Sequence, residues 1–280
     1  MGDDHLTDRK ISKLQRMLAG PRAPAPPQRP AEEPSRGSLG KYKLLRMLAP
    51  QTWEVSDGKH PAALVLRVLG SSQDPNLVAS VCAELRPLAA LQHPVIVTYK
   101  KLSQVGGGYF TIREFVAGEP IDRQAPLPVP SLQIVYEVAR AIEYAHERGQ
   151  AHGALSPSNV ILSPTGHPFV VDFSARYLRG RFQPPAPTAP SPEADLLALQ
   201  ALYISLMAAA PFEDVAAGAR PPLRPMHPAA DRRLAELTEV EVGSASAFAD
   251  ALAQVLQALP SDYTSNLGVL ERYQRRTQTA

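Results

Sequence analysis

The stretch AHGALSPSNVIL, residues 151–162, decides how the rest of the chain is interpreted. It follows SLQIVYEVARAIEYAHERG, residues 131–149, whose apolar spacing predicts an amphipathic helix. It leads into NVILSPTGHPFVVDF, residues 159–173, which predicts two short strands about a glycine turn. Loops between such elements often carry reacting side chains, yet Ala154 in this loop has no proton-accepting atom. The loop therefore belongs either to an enzyme of unfamiliar chemistry or to an enzyme's fold that serves another purpose.

Length and composition limit the classes of protein that fit. A chain of 280 residues, 44% of them hydrophobic, is long enough for one large domain or two lobes with a sizeable core. The formal net charge is +2 and the basic residues are scattered, so we expect neither nucleic acid nor an anionic membrane as the main partner. The longest apolar run, residues 196–212, is interrupted by Gln200 and Ser205 and predicts a buried helix rather than a membrane span. The polar start of the chain does not suit a secretory signal. We therefore expect a soluble, cytoplasmic protein.

The first 40 residues predict a short docking segment and a linker. Four apolar residues share one face of a predicted helix within residues 1–20: Ile11, Leu14, Met17 and Leu18. Residues 21–40 are rich in proline and predict an extended linker. A helix of this length is not stable alone, so it docks on the main domain, binds a partner protein or has no ordered role.

The rest of the chain changes character at residue 118. Residues 41–118 alternate short apolar runs of strand type with one main helix, and residues 119–260 are mostly helical. Within the second part we expect helices near 195–209, 229–239 and 244–258, and residues 261–280 form a tail. This order predicts an α+β fold with a β-rich lobe followed by a helical lobe.

The order and spacing of these fragments resemble a bacterial Hanks-type serine/threonine protein kinase domain over residues 42–259. His152, Gly153 and Ala154 stand where that family has its His-Arg-Asp motif, and Asn159 stands at its metal-binding asparagine. The segment VVDFSA is similar to the Asp-Phe-Gly segment, with Asp172 as its acid. The resemblance implies a protein-kinase-like, two-lobed fold, in which the family holds ATP between the lobes.

Three further segments carry the resemblance. ALVLRVL is similar to the strand-lysine motif but has Arg67 in place of the lysine. LQHPVIV is similar to the segment after the family's key helix, which puts Glu84 at the position of the helix glutamate. ADLLALQALYISL is similar to the buried helix of the second lobe, with Asp195 as its anchoring acid. The resemblance implies structural roles for His152 and Asp195, which support the backbone of the loop.

The reacting groups of the family are missing from this chain. Ala154 replaces the general base, whose loss alone usually lowers the rate about 10²–10⁴-fold. Ser156 replaces a lysine near the transferred phosphate, and Arg67 replaces the strand lysine. LAPQTWEV, residues 48–55, matches the Gly-rich loop but has no glycine, and Pro50 has no N–H to offer a phosphate. We therefore expect no catalytic residue in this chain.

Two polar residues of the family pattern survive. Asn159 and Asp172 are a residual divalent-ion site on one interpretation, with Arg67 and Glu84 completing weak binding of ATP and magnesium. On the other interpretation Asn159 caps a turn, Asp172 pairs with a nearby cation, and Arg67 forms a structural ion pair with Glu84. We favour the second, and expect no firmly bound metal or cofactor.

The cleft and the segment after it also depart from the family. Val65 and Arg113 are both larger than expected around the base and narrow its pocket. Residues 176–194 are short and rich in proline, and Gly153 removes the usual arginine partner of a phosphate on this segment. Thr188 and Ser191 are the candidates for modification by another kinase, although no feature favours it.

Three hypotheses follow from the resemblance and its departures. The first is a catalytically inactive pseudokinase that acts as a protein-interaction or regulatory module, with contacts through the helix of residues 1–20 or the C-terminal tail. The second is a pseudokinase that binds ATP as a structural ligand without phosphotransfer. The third is an atypical phosphotransferase or nucleotidyltransferase. We favour the first.

Overall fold

A computed structural model describes residues 37–123, 128–183, 188–239 and 243–260. The helix expected within residues 1–20, the expected tail of 261–280 and most of the expected linker lie outside the described residues. The same holds for four residues of the expected docking face: Ile11, Leu14, Met17 and Leu18.

A six-stranded antiparallel sheet forms the first lobe, in the order β1-β2-β3-β4-β6-β5. Its strands are β1 (Gly37–Leu39), β2 (Tyr42–Ala49), β3 (Thr52–Ser56), β4 (Leu64–Ser71), β5 (Tyr99–Val105) and β6 (Gly108–Glu114). Alternate side chains form one buried cluster: Tyr42, Val55, Leu64, Leu66, Phe110 and Ile112. The sheet begins inside the segment expected to be linker, because residues 37–39 pair with residues 42–44.

One helix, α1 (Pro75–Ala89), packs against this sheet. Its start is fixed by Asp74, whose carboxylate accepts a hydrogen bond from the N–H of Asn76 (2.9 Å). Val81, Leu85 and Leu88 are buried along one face. Proline at position 87 falls in the last turn, and the helix ends two residues later, as a proline near a helix end permits.

A small sheet links the two lobes. It contains β7 (Glu119–Pro120), β8 (Val160–Leu162) and β9 (Pro168–Val170). The segment after α1 joins its edge, since Val97 N–H donates to the carbonyl of Val170 (2.9 Å) and Val170 N–H donates to that of Val95 (2.7 Å). These bonds fix the position of β9, and so of Asp172 just beyond it, relative to the first lobe.

Helices form the second lobe. They are α2 (Pro128–His146), α3 (Ala175–Gly180), α4 (Pro192–Ala208), α5 (Phe212–Ala216), α6 (Pro228–Glu239) and α7 (Ala245–Ala258), with 3₁₀ turns at Ile121–Arg123 and Pro157–Asn159. The expected helices near 195–209, 229–239 and 244–258 are confirmed as α4, α6 and α7. The α+β prediction is also confirmed. None of the helices in the described ranges has the length and apolar character needed to cross a bilayer.

Candidate functional site

The loop of residues 151–159 is anchored by α4. Asp195, in the first turn of α4, accepts hydrogen bonds from the backbone N–H groups of His152 (2.6 Å) and Gly153 (2.7 Å). The imidazole Nε2 of His146 lies 3.0 Å from the same carboxylate. Because the Asp195 side chain is only 1% exposed, these donors take the place of water around its charge. The loop backbone is therefore fixed by a buried carboxylate.

His152 links this loop to the segment after β9. Burial lowers the pKa of His152 and favours the neutral ring. Its Nε2 lies 3.0 Å from the carbonyl of Val171, and its Nδ1 accepts from the N–H of Ala154 (3.2 Å). The ring packs on Phe173, with centroids 4.7 Å apart. These contacts hold the ring in place, and both of its nitrogens are engaged.

The hydroxyl of Tyr99 secures Phe173 from the first lobe. It donates a hydrogen bond to the carbonyl oxygen of Phe173 (2.7 Å). Burial, and next the negative charge of Asp172, raise the pKa of Tyr99, so the hydroxyl keeps the proton that it donates. This bond is not predictable from the sequence, because the two residues are far apart in the chain.

The middle of the loop, residues 153–158, carries no carboxylate and no imidazole. Ala154 has only a methyl side chain, and its carbonyl oxygen accepts from the amide Nδ2 of Asn159 (2.8 Å). The hydroxyl oxygens of Ser156 and Ser158 lie 2.9 Å apart. Asn159 therefore closes the turn that begins at Ala154, as one of the two interpretations expected.

Asp172 lies between two arginines. Arg67 of β4 contacts its Oδ2 through Nη2, and Arg113 of β6 donates from Nε to its Oδ1 (3.0 Å). Arg67 faces Thr111 across the β4–β6 ladder, so Arg113, two residues further along β6, lies on the same face of the sheet. The sheet register thus aims both guanidinium groups at one carboxylate.

The charge of Asp172 is stabilised by this pairing. Its side chain is 5% exposed, and burial alone would raise its pKa. Arg113, and then Arg67, more than offset that effect and hold the pKa of Asp172 below its ordinary value of 3.8. Asp172 is therefore ionised at neutral pH, with each oxygen bound to an arginine.

The expected ion pair of Arg67 with Glu84 is wrong. Arg67 binds Asp172 instead, while Glu84 Oε1 lies 3.4 Å from Arg181 Nη2 and accepts from the hydroxyl of Ser80 (3.0 Å). The physical reason is burial: Asp172 is 5% exposed and Glu84 is 28% exposed, so the cost of leaving Asp172 unpaired is greater. Arg67 therefore pairs with Asp172, the less exposed of the two carboxylates.

Arg181 is a site residue that sequence analysis missed. It follows α3 and donates to the hydroxyl of Ser80 on α1 (2.9 Å) as well as pairing with Glu84. The next residue, Phe182, stacks on Tyr109 with centroids 5.5 Å apart. It also covers Gly70, where an added Cβ would lie 2.5 Å from the Cβ of Phe182. The stretch RYLRGRF held the signal, since its aromatic and basic residues are unusual for a linker.

The turn that matches the Gly-rich loop is short and tied to the sheet. Ala49 of β2 pairs with Thr52 of β3, which leaves a two-residue turn. Its first residue, Pro50, has no N–H, and the carbonyl of Gln51 accepts from the N–H of Val68 on β4 (2.9 Å). This turn offers few free donors to a phosphate.

Two positions expected to narrow the base pocket are both buried. Val65 is 1% exposed and lies opposite Arg113 in the β4–β6 ladder. Arg113 is 7% exposed, because it points to Asp172 and donates from Nη1 to the carbonyl of Glu114 (3.0 Å). Arg113 therefore acts on the site chiefly through Asp172, a contact that sequence analysis did not foresee.

The segment before α4 packs against the loop. An added Cβ at Gly153, whose φ is +71°, would lie 2.7 Å from the Cβ of Pro190. A larger residue at that position does not fit without moving the segment. Ser191 caps α4 by accepting from the N–H of Ala194 (3.2 Å), and Thr188 is exposed.

A cavity of about 410 Å³ opens between these parts. The residues of its lining that matter for chemistry are Arg67, Ala154, Asn159, Asp172, Arg176 and Arg179. They do not fit a divalent metal ion, since both oxygens of Asp172 are bound to arginines and the surrounding charge is positive. Across the described ranges no three His, Cys, Asp or Glu side chains come together as a metal site.

The paired carboxylate predicts a large stability effect. Asp172→Asn leaves Arg67 and Arg113 without their counter-charge, so we expect the free energy of unfolding at pH 7 to fall by about 3–5 kcal/mol. The matched control is Asp250→Asn, because Asp250 is 63% exposed and pairs with Arg140 only at the surface. Urea unfolding of both variants measures the difference.

The difference in stability between the wild type and Asp172→Asn should depend on pH. The pKa of Asp172 is lower in the folded than in the unfolded chain, so its stabilisation is present above the ordinary value of 3.8 and is lost as the pH falls through the folded pKa. The advantage of the wild type over Asp172→Asn should therefore shrink below about pH 4. An Asp172→Asn variant as stable as the wild type at pH 7 would contradict the pairing.

Part of the chain is similar in sequence to bacterial serine/threonine protein kinases. No protein-family profile matches the chain. The chain is 30% identical over 150 residues to the serine/threonine-protein kinase PknA of Mycobacterium tuberculosis, which covers 48% of the chain and 35% of PknA. It is 32% identical over 147 residues to the DNA damage-responsive serine/threonine-protein kinase RqkA of Deinococcus radiodurans, covering 48% of the chain and 22% of RqkA. The chain thus spans little more than a third of these relatives at most.

A solved structure extends the similarity to most of the described residues. The crystal structure of a cysteine-to-alanine mutant of the Mycobacterium tuberculosis PknI kinase domain superposes with a TM-score of 0.59 at 26% sequence identity. The match covers 79% of this chain and 98% of the PknI domain. The chain therefore has the protein kinase fold, and its relatives in sequence and structure are bacterial serine/threonine protein kinases.

Proposed function

We propose that the chain is a catalytically inactive pseudokinase that works as a protein-interaction or regulatory module. One observation carries the proposal: the carboxylate of Asp172 is bound on both oxygens by Arg67 and Arg113. In this fold that aspartate is the residue expected to hold the metal ion of the nucleotide. A metal ion at Asp172 would have to displace two guanidinium groups from a buried charge.

The chemistry of phosphoryl transfer needs further groups that this site lacks. A general base must lie within hydrogen-bond reach of the attacking hydroxyl, and Ala154 has none to offer. Positive charge near the transferred phosphate comes in this fold from a lysine and from metal ions. Here Ser156 stands in the lysine's place, and both oxygens of Asp172 are bound by Arg67 and Arg113, which leaves no free oxygen for a metal ion. All of these differences lower the rate of transfer.

The contacts around α1 support the same proposal. Glu84 is engaged by Arg181 and Ser80, so it does not position Arg67. The segment from α3 to Phe182 packs on β4 and Tyr109, where it occupies the side of the cleft beneath the first lobe. The scaffold of the fold, anchored by Asp195, persists without the reacting groups.

A role in binding another protein follows from a fold that is retained without its chemistry. The proposed contact is the amphipathic helix within residues 1–20, which lies outside the described residues. The cytoplasm is the proposed location. ATP as a structural ligand, held through Asn159, Asp172 and Arg67, is the weaker candidate, because Asp172 and Asn159 already have partners.

Inactivity is tested with labelled ATP. We expect the purified full chain, with magnesium or manganese, to transfer no label to itself, to generic protein substrates or to small molecules above the background of Asp172→Ala. Ala154→Asp alone should stay inactive, because Asp172 remains bound to the two arginines. Steady ATP consumption that falls in Asp172→Ala would contradict the proposal, and an active bacterial kinase in the same assay is the positive control.

The docking helix is tested by two changes in the full chain. Leu14→Glu with Leu18→Glu places charge on the predicted apolar face, whereas the matched control, Ser12→Glu, changes the polar face. We expect proteins retained by the wild-type chain from its native cell extract to be lost in the double variant and kept in the control. Equal retention by all three chains, measured by quantitative mass spectrometry, would exclude this helix as the contact.

A further inference from the structure

The cavity beside Asp172 has an excess of positive charge. Its lining contains three guanidinium groups, those of Arg67, Arg176 and Arg179, and a single carboxylate, that of Asp172. The same carboxylate is also bound by Arg113, so it does not neutralise Arg67 alone. Three positive charges against one negative charge leave at least two unbalanced positive charges in the lining.

Two of these arginines have no ion-pair partner in the part of the chain that the structure describes. Arg176 is exposed and Arg179 is partly buried, and neither has a carboxylate oxygen within 4.0 Å among the described residues. They stand three residues apart on α3, so they lie on the same face of the helix. Arg181, by contrast, is engaged by Glu84. The charges of Arg176 and Arg179 are therefore not balanced by an ion pair among the described residues.

Arg67 forms a fixed wall of this cavity. It is held by Asp172, and its side chain is 23% exposed, so part of the guanidinium group still meets the cavity. Its Nε is buried and has no hydrogen-bond partner among the described residues. The lining thus combines one guanidinium group held by Asp172 with two that have no carboxylate partner among the described residues.

From this arrangement we infer a binding site for a phosphate group that requires no magnesium and no nucleotide base. A phosphate monoester carries about −1.5 to −2 charges at pH 7, which matches the two unbalanced positive charges. A single carboxylate would balance only one. Guanidinium forks bind phosphate oxygens in pairs, so three arginines supply enough donors without a metal ion. The ligand class is therefore inorganic phosphate, pyrophosphate or a small phosphorylated molecule.

The dimensions and surroundings of the cavity agree with such a ligand. Its volume of about 410 Å³ lies in the range of small-molecule sites, roughly 300–1,000 Å³. A divalent cation would meet the same excess of positive charge and be repelled. This site is independent of the proposed function, because it needs no catalysis and no protein partner.

Binding to this site has a structural consequence. A phosphate group that bridges Arg67 with Arg176 and Arg179 ties β4 to α3, and α3 leads directly into Arg181, which holds Glu84. The ligand therefore stabilises the packing of α3 under the first lobe. We expect its binding to raise the melting temperature of the full chain.

The test is calorimetric titration and thermal unfolding of the full chain at constant ionic strength. Sodium pyrophosphate and orthophosphate are added with EDTA, and acetate is the control anion. Pyrophosphate should bind saturably and raise the melting temperature, and acetate should not. Arg176→Gln with Arg179→Gln should weaken pyrophosphate binding by about tenfold or more. The matched control is Arg232→Gln, which removes a guanidinium group that is 90% exposed and should leave binding unchanged.

Two further arms separate the possible sources of the phosphate group. ATP with EDTA should bind no more tightly than pyrophosphate, because the site makes no contact with the base. Magnesium should not increase the affinity for ATP or for pyrophosphate. The inference would be overturned if ATP bound and pyrophosphate did not, or if binding of either required magnesium. It would also be overturned if the wild type and the double variant bound pyrophosphate with equal affinity. None of these outcomes depends on whether the chain transfers phosphate, so the pseudokinase proposal is judged separately by the labelled-ATP assay.

Discussion

The contact of Asp172 with Arg67 and Arg113 determines the arrangement of the whole cleft. It joins the second lobe to two neighbouring strands of the first through a buried carboxylate, a buried guanidinium group and a partly buried one. Because Arg67 is committed to Asp172, Glu84 takes Arg181 as its partner, and α3 is drawn up against α1 and β4. A single buried carboxylate thereby sets the positions of four other charged groups.

An arginine at position 67 suits this arrangement better than a lysine. A guanidinium group keeps its charge when partly buried and offers several donors in a plane, so it can bind Asp172 and still face the cavity. Arg113 adds a second fork from the next strand, in register with the first. Two guanidinium groups supply the positive charge that a metal ion would bring to this aspartate. The same two residues therefore stabilise the fold and, under the proposed function, leave this aspartate no free oxygen for a metal ion.

Much of the fold was predictable from the sequence, and less of the site. The loop 151–162, the buried Asp195 and the periodic helices identified the fold, because each depends on local spacing or on burial. The partner of Arg67 was predicted incorrectly, since spacing along the chain does not reveal which of two carboxylates is more deeply buried. Arg113 was recognised for its size and not for its contact with Asp172. The roles of Arg176, Arg179 and Arg181 depend on α3. This helix has only six residues and is followed by a proline-rich stretch, so no periodic pattern predicted it.

The arrangement of the cleft depends on Asp172 being ionised and bound by two arginines in the folded chain. Carbon-13 NMR of the side-chain carboxyl, assigned by the resonance that Asp172→Asn removes, measures this directly as the pH is lowered in the folded range. We expect a titration midpoint below the ordinary value of 3.8, because the two guanidinium groups outweigh the effect of burial. A midpoint at or above that value would contradict it, since burial would then dominate and the arginines would not be bound to the carboxylate.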